Sequence, residues 1–169
     1  MSLASVRAFF EDRAPDVEII VSATSSATVP LAAVTHGVRP GQIAKTLSLR
    51  LPDGPALLVV PGDARLDNRK AKAAFGAKVR FVAAEEVEDL TGHPVGGVCP
   101  FGLKGALPVY CDVGLRRFAQ VIPAAGSPNS AVKISPERMA VLVGARWVDA
   151  CAIPEEGAAA ACAGGSESP

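Results

Sequence analysis

The chain has no excess charge of either sign. Its 169 residues hold 17 Lys and Arg against 17 Asp and Glu, a formal net charge of +0. That balance removes the usual argument for a nucleic-acid binder, so any contact with RNA must use a local patch. It has no apolar run near the roughly 18 residues that cross a bilayer. The opening residues include acidic side chains and no long apolar stretch, so neither a secretory leader nor a membrane partner is expected. The four cysteines, Cys99, Cys111, Cys151 and Cys162, form no C-x-x-C pair, and His36 and His93 are not spaced with them as zinc ligands. The expectation is a cytoplasmic protein without a metal site, whose reduced thiols act as small hydrophobes. No internal repeat is visible.

What is present suits one globular domain. Apolar residues make up 49% of the chain and charged residues 20%, enough for a core without staples. Apolar spacing predicts helices over Ser2 to Arg13, Val29 to His36, Leu66 to Phe75, Ala83 to Leu90 and from Pro136 to about Val143. Ser2 is expected to cap the first helix, and Ser135 the last. Strands are predicted over Val17 to Val21, Val79 to Val82, Leu107 to Asp112, Ala119 to Pro123, Ala131 to Ile134 and Ala145 to Val148. Ile43 to Leu51 and Ala56 to Val60 read as a hairpin around Pro52-Asp53-Gly54-Pro55. Regular β-α-β-α alternation is missing, so the expected class is α+β, with a mixed, largely antiparallel sheet among helices. The domain is placed at residues 1–153. Residues 154–169, rich in Ala, Gly and Ser, are expected to be a flexible tail.

Chemistry concentrates in a few places. Gly92 to Gly102 is dense in Gly and Pro, which shapes a backbone and leaves N–H groups free to hold a carbonyl oxygen or oxyanion. Lys45 alternates with Ile43, Leu47 and Leu49 on one strand face, where an ammonium either snorkels outward or faces a cleft. Asp112 ends a strand and either caps the following turn or points into the same cleft. Ser127 and Asn129, beside Gly126, can bond a substrate or their own turn. Arg65, Arg69, Lys70 and Lys72 form a basic segment, either a solvated helix face or a weak RNA patch. Cys99 lies within the glycine-rich loop with no basic partner close in sequence, and neither histidine has an evident nucleophile.

Several segments in order then resemble a known family. Gly41-Gln42-Ile43-Ala44-Lys45-Thr46-Leu47, Val59-Val60-Pro61-Gly62-Asp63, Leu90-Thr91-Gly92, Gly96 to Gly102, Val109 to Asp112, Ala125-Gly126-Ser127 and Ile134-Ser135-Pro136 are similar to the YbaK/ProX aminoacyl-tRNA deacylases. These are relatives of the editing domain inserted in bacterial prolyl-tRNA synthetases. The resemblance spans about residues 20 to 145. It implies a curved, mixed six- to seven-stranded sheet flanked by helices. It implies metal-independent hydrolysis, with no cofactor, of the ester joining a wrong amino acid such as Ala, Cys or Ser to the 3′ end of tRNA for proline. The implied partners are the aminoacyl-tRNA acceptor end and prolyl-tRNA synthetase; oligomeric state stays open. The family's essential lysine falls on Lys45 and its G-x-x-x-P loop on Gly96, Gly97, Val98, Cys99 and Pro100. Its strand-end acid falls on Asp112 and its late glycine on Gly126. The alanine-specific branch often has His after that glycine, where this chain has Ser127. The alternative is an inactive tRNA- or synthetase-binding module of the same fold.

Overall fold

The computed structural model describes residues 2–154; the expected C-terminal tail lies almost wholly outside them. Helix α1 (Ser2–Arg13) buries Val6 and Phe10. It is followed by β1 (Ile19–Val21) and α2 (Val29–His36), which Thr28 caps and Gly37 ends in a left-handed turn, φ 64°. A 3-10 turn at Pro40–Gln42 leads into the hairpin of β2 (Ile43–Leu51) and β3 (Gly54–Pro61). Next come β4 (Arg65–Leu66), α3 (Asn68–Phe75), β5 (Arg80–Phe81) and α4 (Ala84–Thr91). The glycine-rich segment follows without regular structure, up to β6 (Val109–Asp112). The last elements are β7 (Ile122–Pro123), β8 (Ser130–Val132), α5 (Pro136–Val143), β9 (Arg146–Val148) and β10 (Cys151–Ala152).

The main sheet runs β5-β2-β3-β6-β9, with β7 also pairing β2. It is mixed. The hairpin and the β5 edge are antiparallel, whereas β7 on β2, β6 on β3 and β9 on β6 are parallel. Two small antiparallel pairs, β1–β8 and β4–β10, flank it. Alternation along β2 and β3 divides the interior. Ala44, Leu57 and Val59 join α1, Phe101 and Met139 in the larger cluster; Leu49, Leu58 and Val60 join Ala71 and Cys151 in a second. A third cluster packs Ala32 and Ala33 of α2 on Ile43 and Ile122.

Three local expectations are corrected. Leu66 is not the start of α3. It pairs with Cys151 as a strand, and Asp67 accepts from Lys70 N at 3.0 Å, so the cap begins the helix two residues later, at Asn68. Ser2 does not cap α1; its hydroxyl donates to the carbonyl of Gly126. The tracts expected as longer strands at Val17, Ala119 and Leu107 pair only over their last two to four residues.

One carboxylate stitches the end of the parallel flank. Asp112 is 1% exposed. Its Oδ2 accepts from Gly114 N at 2.8 Å and its Oδ1 from Ala150 N at 2.9 Å. Replacing it leaves two buried donors unmet. Asp112→Ala is therefore expected to lower unfolding free energy by about 3 kcal/mol, with Asp112→Asn between it and wild type, as read by urea denaturation.

Candidate functional site

The outer edge of β2 is covered at its ends and bare in its middle. β7 pairs at Ile43 and Ala44; β5 pairs at Leu49 and Arg50, and Ser48 O accepts from Val82 N at 2.9 Å. Between them a cleft of about 400 Å³ opens. Ile43 to Ser48 border it on one side. Val29, Ala32 and His36 of α2 form one wall, Phe81, Val82 and Val87 another, and Gly96 with Val98 a third. No Asp, Glu or Cys lines it among the described residues.

Lys45 and the glycine-rich loop do meet at this cleft. Lys45 is half-buried on β2, opposite Val60, and sits between Ile43, which α2 covers, and Leu47, which packs on the second cluster. Its ammonium has no ion-pair or hydrogen-bond partner among the described residues. In the loop, Gly96 takes φ +95°, and a Cβ there would come within 3.0 Å of Ala27 Cβ. Gly97 is wedged harder: its N–H donates to Pro94 O at 2.9 Å and its O accepts from Gly126 N at 3.1 Å. A Cβ on Gly97 would meet Ser127 N at 2.6 Å and Gly126 C at 2.8 Å, both backbone. The N–H groups of Gly96 and Val98 have no backbone acceptor among the described residues.

Behind the loop, Cys99 has a partner that sequence distance concealed. His93 Nε2 lies 3.6 Å from Cys99 Sγ and 2.7 Å from Phe101 O. A ring nitrogen at that distance from a carbonyl donates its proton there, so it offers Cys99 no lone pair. Both side chains are 0% exposed. Burial depresses the His93 pKa and pushes the Cys99 thiol up to about 12. The pair is a neutral support that fixes the loop from beneath, not a nucleophile and base. Pro100 is buried beside it.

The other nominated residues lie apart from the cleft. Asp112 spends both oxygens on backbone donors. Ser127 Oγ donates to Asn129 Oδ1 at 3.0 Å, and Asn129 Nδ2 donates to Ser22 O at 3.0 Å, so these side chains bond within the turn and to the residue after β1. Gly126 serves as a packing position, where a Cβ would meet Ser2 O at 2.6 Å. Arg65, Arg69 and Lys72 are exposed around α3, while Lys70 reaches Asp149 at 3.3 Å; none borders the cleft. Of the polar residues that border it and that the sequence did not nominate, His36 and Thr46 stand out. His36 Nε2 and Thr46 Oγ1 are buried without a partner, and desolvation lowers the His36 pKa. Both follow from signals in the chain. Thr46 adjoins Lys45, and His36 ends the apolar helix that packs against β2.

Comparison with known proteins covers most of the chain. The sequence profile of the aminoacyl-tRNA editing domain matches residues 24–142. The Bacillus subtilis protein YwhH, uncharacterised, is 45% identical over 153 residues, 89% of this chain and 98% of that one. An Enterococcus faecalis protein, EbsC, whose name proposes a Cys-tRNA(Pro)/Cys-tRNA(Cys) deacylase, is 30% identical over 115 residues, 67% of this chain and 70% of its own. A crystal structure whose description proposes a trans-editing enzyme for prolyl tRNA synthetase superposes with TM-score 0.81 at 33% identity, over 88% of this chain and 96% of that one.

Two outcomes follow. A thiol held neutral up to about 12 carries almost no thiolate at pH 8, so Cys99 should resist iodoacetamide in the native protein and react once urea unfolds it, as read by peptide mass spectrometry. Gly97→Ala should displace the loop from Gly126, costing about 2 kcal/mol of stability and disturbing the cleft amides, as read by denaturation and amide NMR shifts.

Proposed function

The chain belongs to the aminoacyl-tRNA editing domain family, and from that premise we propose that it is a trans-acting hydrolase that clears a small, wrongly attached amino acid from tRNA. The observation that carries this reading is the shared cleft: Lys45, whose ammonium has no partner among the described residues, and Gly96 and Val98, whose N–H groups have no backbone acceptor there, border one hollow. Their chemistry fits the ester. Lys45 would hold a phosphate or ribose of the terminal adenosine. The loop amides would face the acyl carbonyl and stabilise the oxyanion formed on attack. Water, or a hydroxyl of the substrate itself, would be the nucleophile, since Cys99 is enclosed. With water, attack adds oxygen to the acyl carbon, the bond to the ribose oxygen breaks, and a free amino acid and a tRNA hydroxyl leave. Positioning and fixed dipoles would supply most of the acceleration.

The substrate class follows from the family and from the cleft's size. Small apolar walls at Ala27, Val29, Ala32 and Ala131 suit a small side chain such as that of Ala, Cys or Ser. The relatives' names support tRNA for proline as the carrier and prolyl-tRNA synthetase as a partner; action in the cytoplasm is proposed with them. Metal-independence is proposed with it: no group of three metal-ligating side chains gathers among the described residues.

Purified protein should release Ala, Cys or Ser from charged tRNA for proline much faster than it releases Pro, and EDTA should leave the rate unchanged. Lys45→Ala should lower kcat/KM by about 100-fold while leaving thermal unfolding in place. Full turnover in that variant, or tRNA binding with no release of any amino acid by wild type, defeats the proposal.

A further inference from the structure

The cleft has a main-chain feature that the proposed chemistry has not used. Strand residues alternate the side to which their N–H and C=O point. On β2, Ser48 O is directed outward, since it accepts from Val82 N. The even-numbered residues therefore present their main-chain groups to the outer edge. Ala44 meets β7 there, and Arg50 meets β5. Thr46 meets neither; no other backbone donor or acceptor in the described residues bonds it on that side. Thr46 borders the cleft, and its hydroxyl is a second orphan, buried without a partner. Thr46 is half-buried, and an unpaired strand edge is a ready template for another extended segment, so this gap can take an occupant.

We propose that the bare edge at Thr46 is the subsite for the α-amino and acyl carbonyl groups of the substrate, which dock as a one-residue strand. This rests on the deacylase reading of the same cleft and says how the acyl group is held. An α-amino N–H donates to Thr46 O, and Thr46 N–H donates to one lone pair of the acyl carbonyl, whose other lone pair is left to the loop amides; this is the reciprocal exchange of a hydrogen-bonded strand pair. The walls agree with it. An amino group in this cleft finds no carboxylate among the described residues, so neutral acceptors must accept its hydrogen bonds. The Thr46 carbonyl lies in the sheet plane, whereas the Lys45 side chain leaves that plane, which separates the two nitrogens. A main-chain subsite ignores the side chain and reads only that the acyl group is an amino acid.

The test uses two non-hydrolysable ligands, 3′-alanylamido-3′-deoxyadenosine and its propionyl counterpart, which lacks only the amine. In 15N NMR titrations of the full chain, the alanyl ligand should bind about tenfold more tightly and move the Thr46 and Leu47 amide signals. Thr46→Val removes the hydroxyl and keeps the main chain, so the alanyl-to-propionyl ratio should survive in it. Equal affinities in wild type, no binding of either ligand, or collapse of the ratio in Thr46→Val would overturn the subsite. Tight alanyl binding without hydrolysis of charged tRNA would count against the deacylase reading and leave the subsite standing.

Discussion

A β-strand edge must give its hydrogen bonds to something, and in this protein that demand is met on either side of the cleft but not within it. β7 pairs parallel at Ile43 and Ala44, β5 pairs antiparallel at Leu49 and Arg50, so the two run in opposite directions. Because they cover opposite ends of β2, neither can extend across the middle. The hollow between them is thus a by-product of topology, bounded by main chain along its floor. Its walls are added by elements with other duties: α2 covers Ile43 and Ile122, and α4 follows directly from β5.

The loop that closes the third wall is rigid because it is held from two sides. From beneath, Cys99 and His93 converge on Phe101 O, and Thr91 Oγ1 accepts from His93 N at 3.0 Å. From the flank, Gly126 N bonds Gly97 O. Gly97 sits where any side chain would strike backbone, so the close approach of the two loops depends on the missing Cβ. Several residues that look chemical, namely Cys99, His93, Asp112 and Gly126, are thereby employed in holding others still. Their polarity is spent inside the fold.

The extent to which this was legible in the chain varies with the kind of signal. Helices with complete punctuation, such as α2 between Thr28 and Gly37 or α5 between Ser135 and Gly144, could be bounded from sequence because the caps are local chemistry. The hairpin was legible from its turn. The parallel partners β6, β7 and β9 were harder to bound, since their pairing is decided by distant segments and only two to four residues of each take part. At the site, Lys45 stood out as a charge among alternating aliphatics and the loop as a cluster of Gly and Pro. The roles of Asp112, Ser127 and Asn129 were ambiguous, because a polar side chain that bonds its own turn has the same sequence signature as one that bonds a ligand. His93 and Cys99 are six positions apart, and only the folded loop sets them in contact.

The first helix has a consequence for how the protein is made. Ser2 reaches Gly126 across 124 positions, and Gly102 packs against the carbonyl of Ser5. Helix α1 is therefore secured by residues made long after its own, between 102 and 126. A chain that stopped before them would carry Lys45 and the hairpin yet lack the Gly126 contact that holds the loop wall of the cleft. Such fragments would be exposed to proteases before the cleft could close around anything.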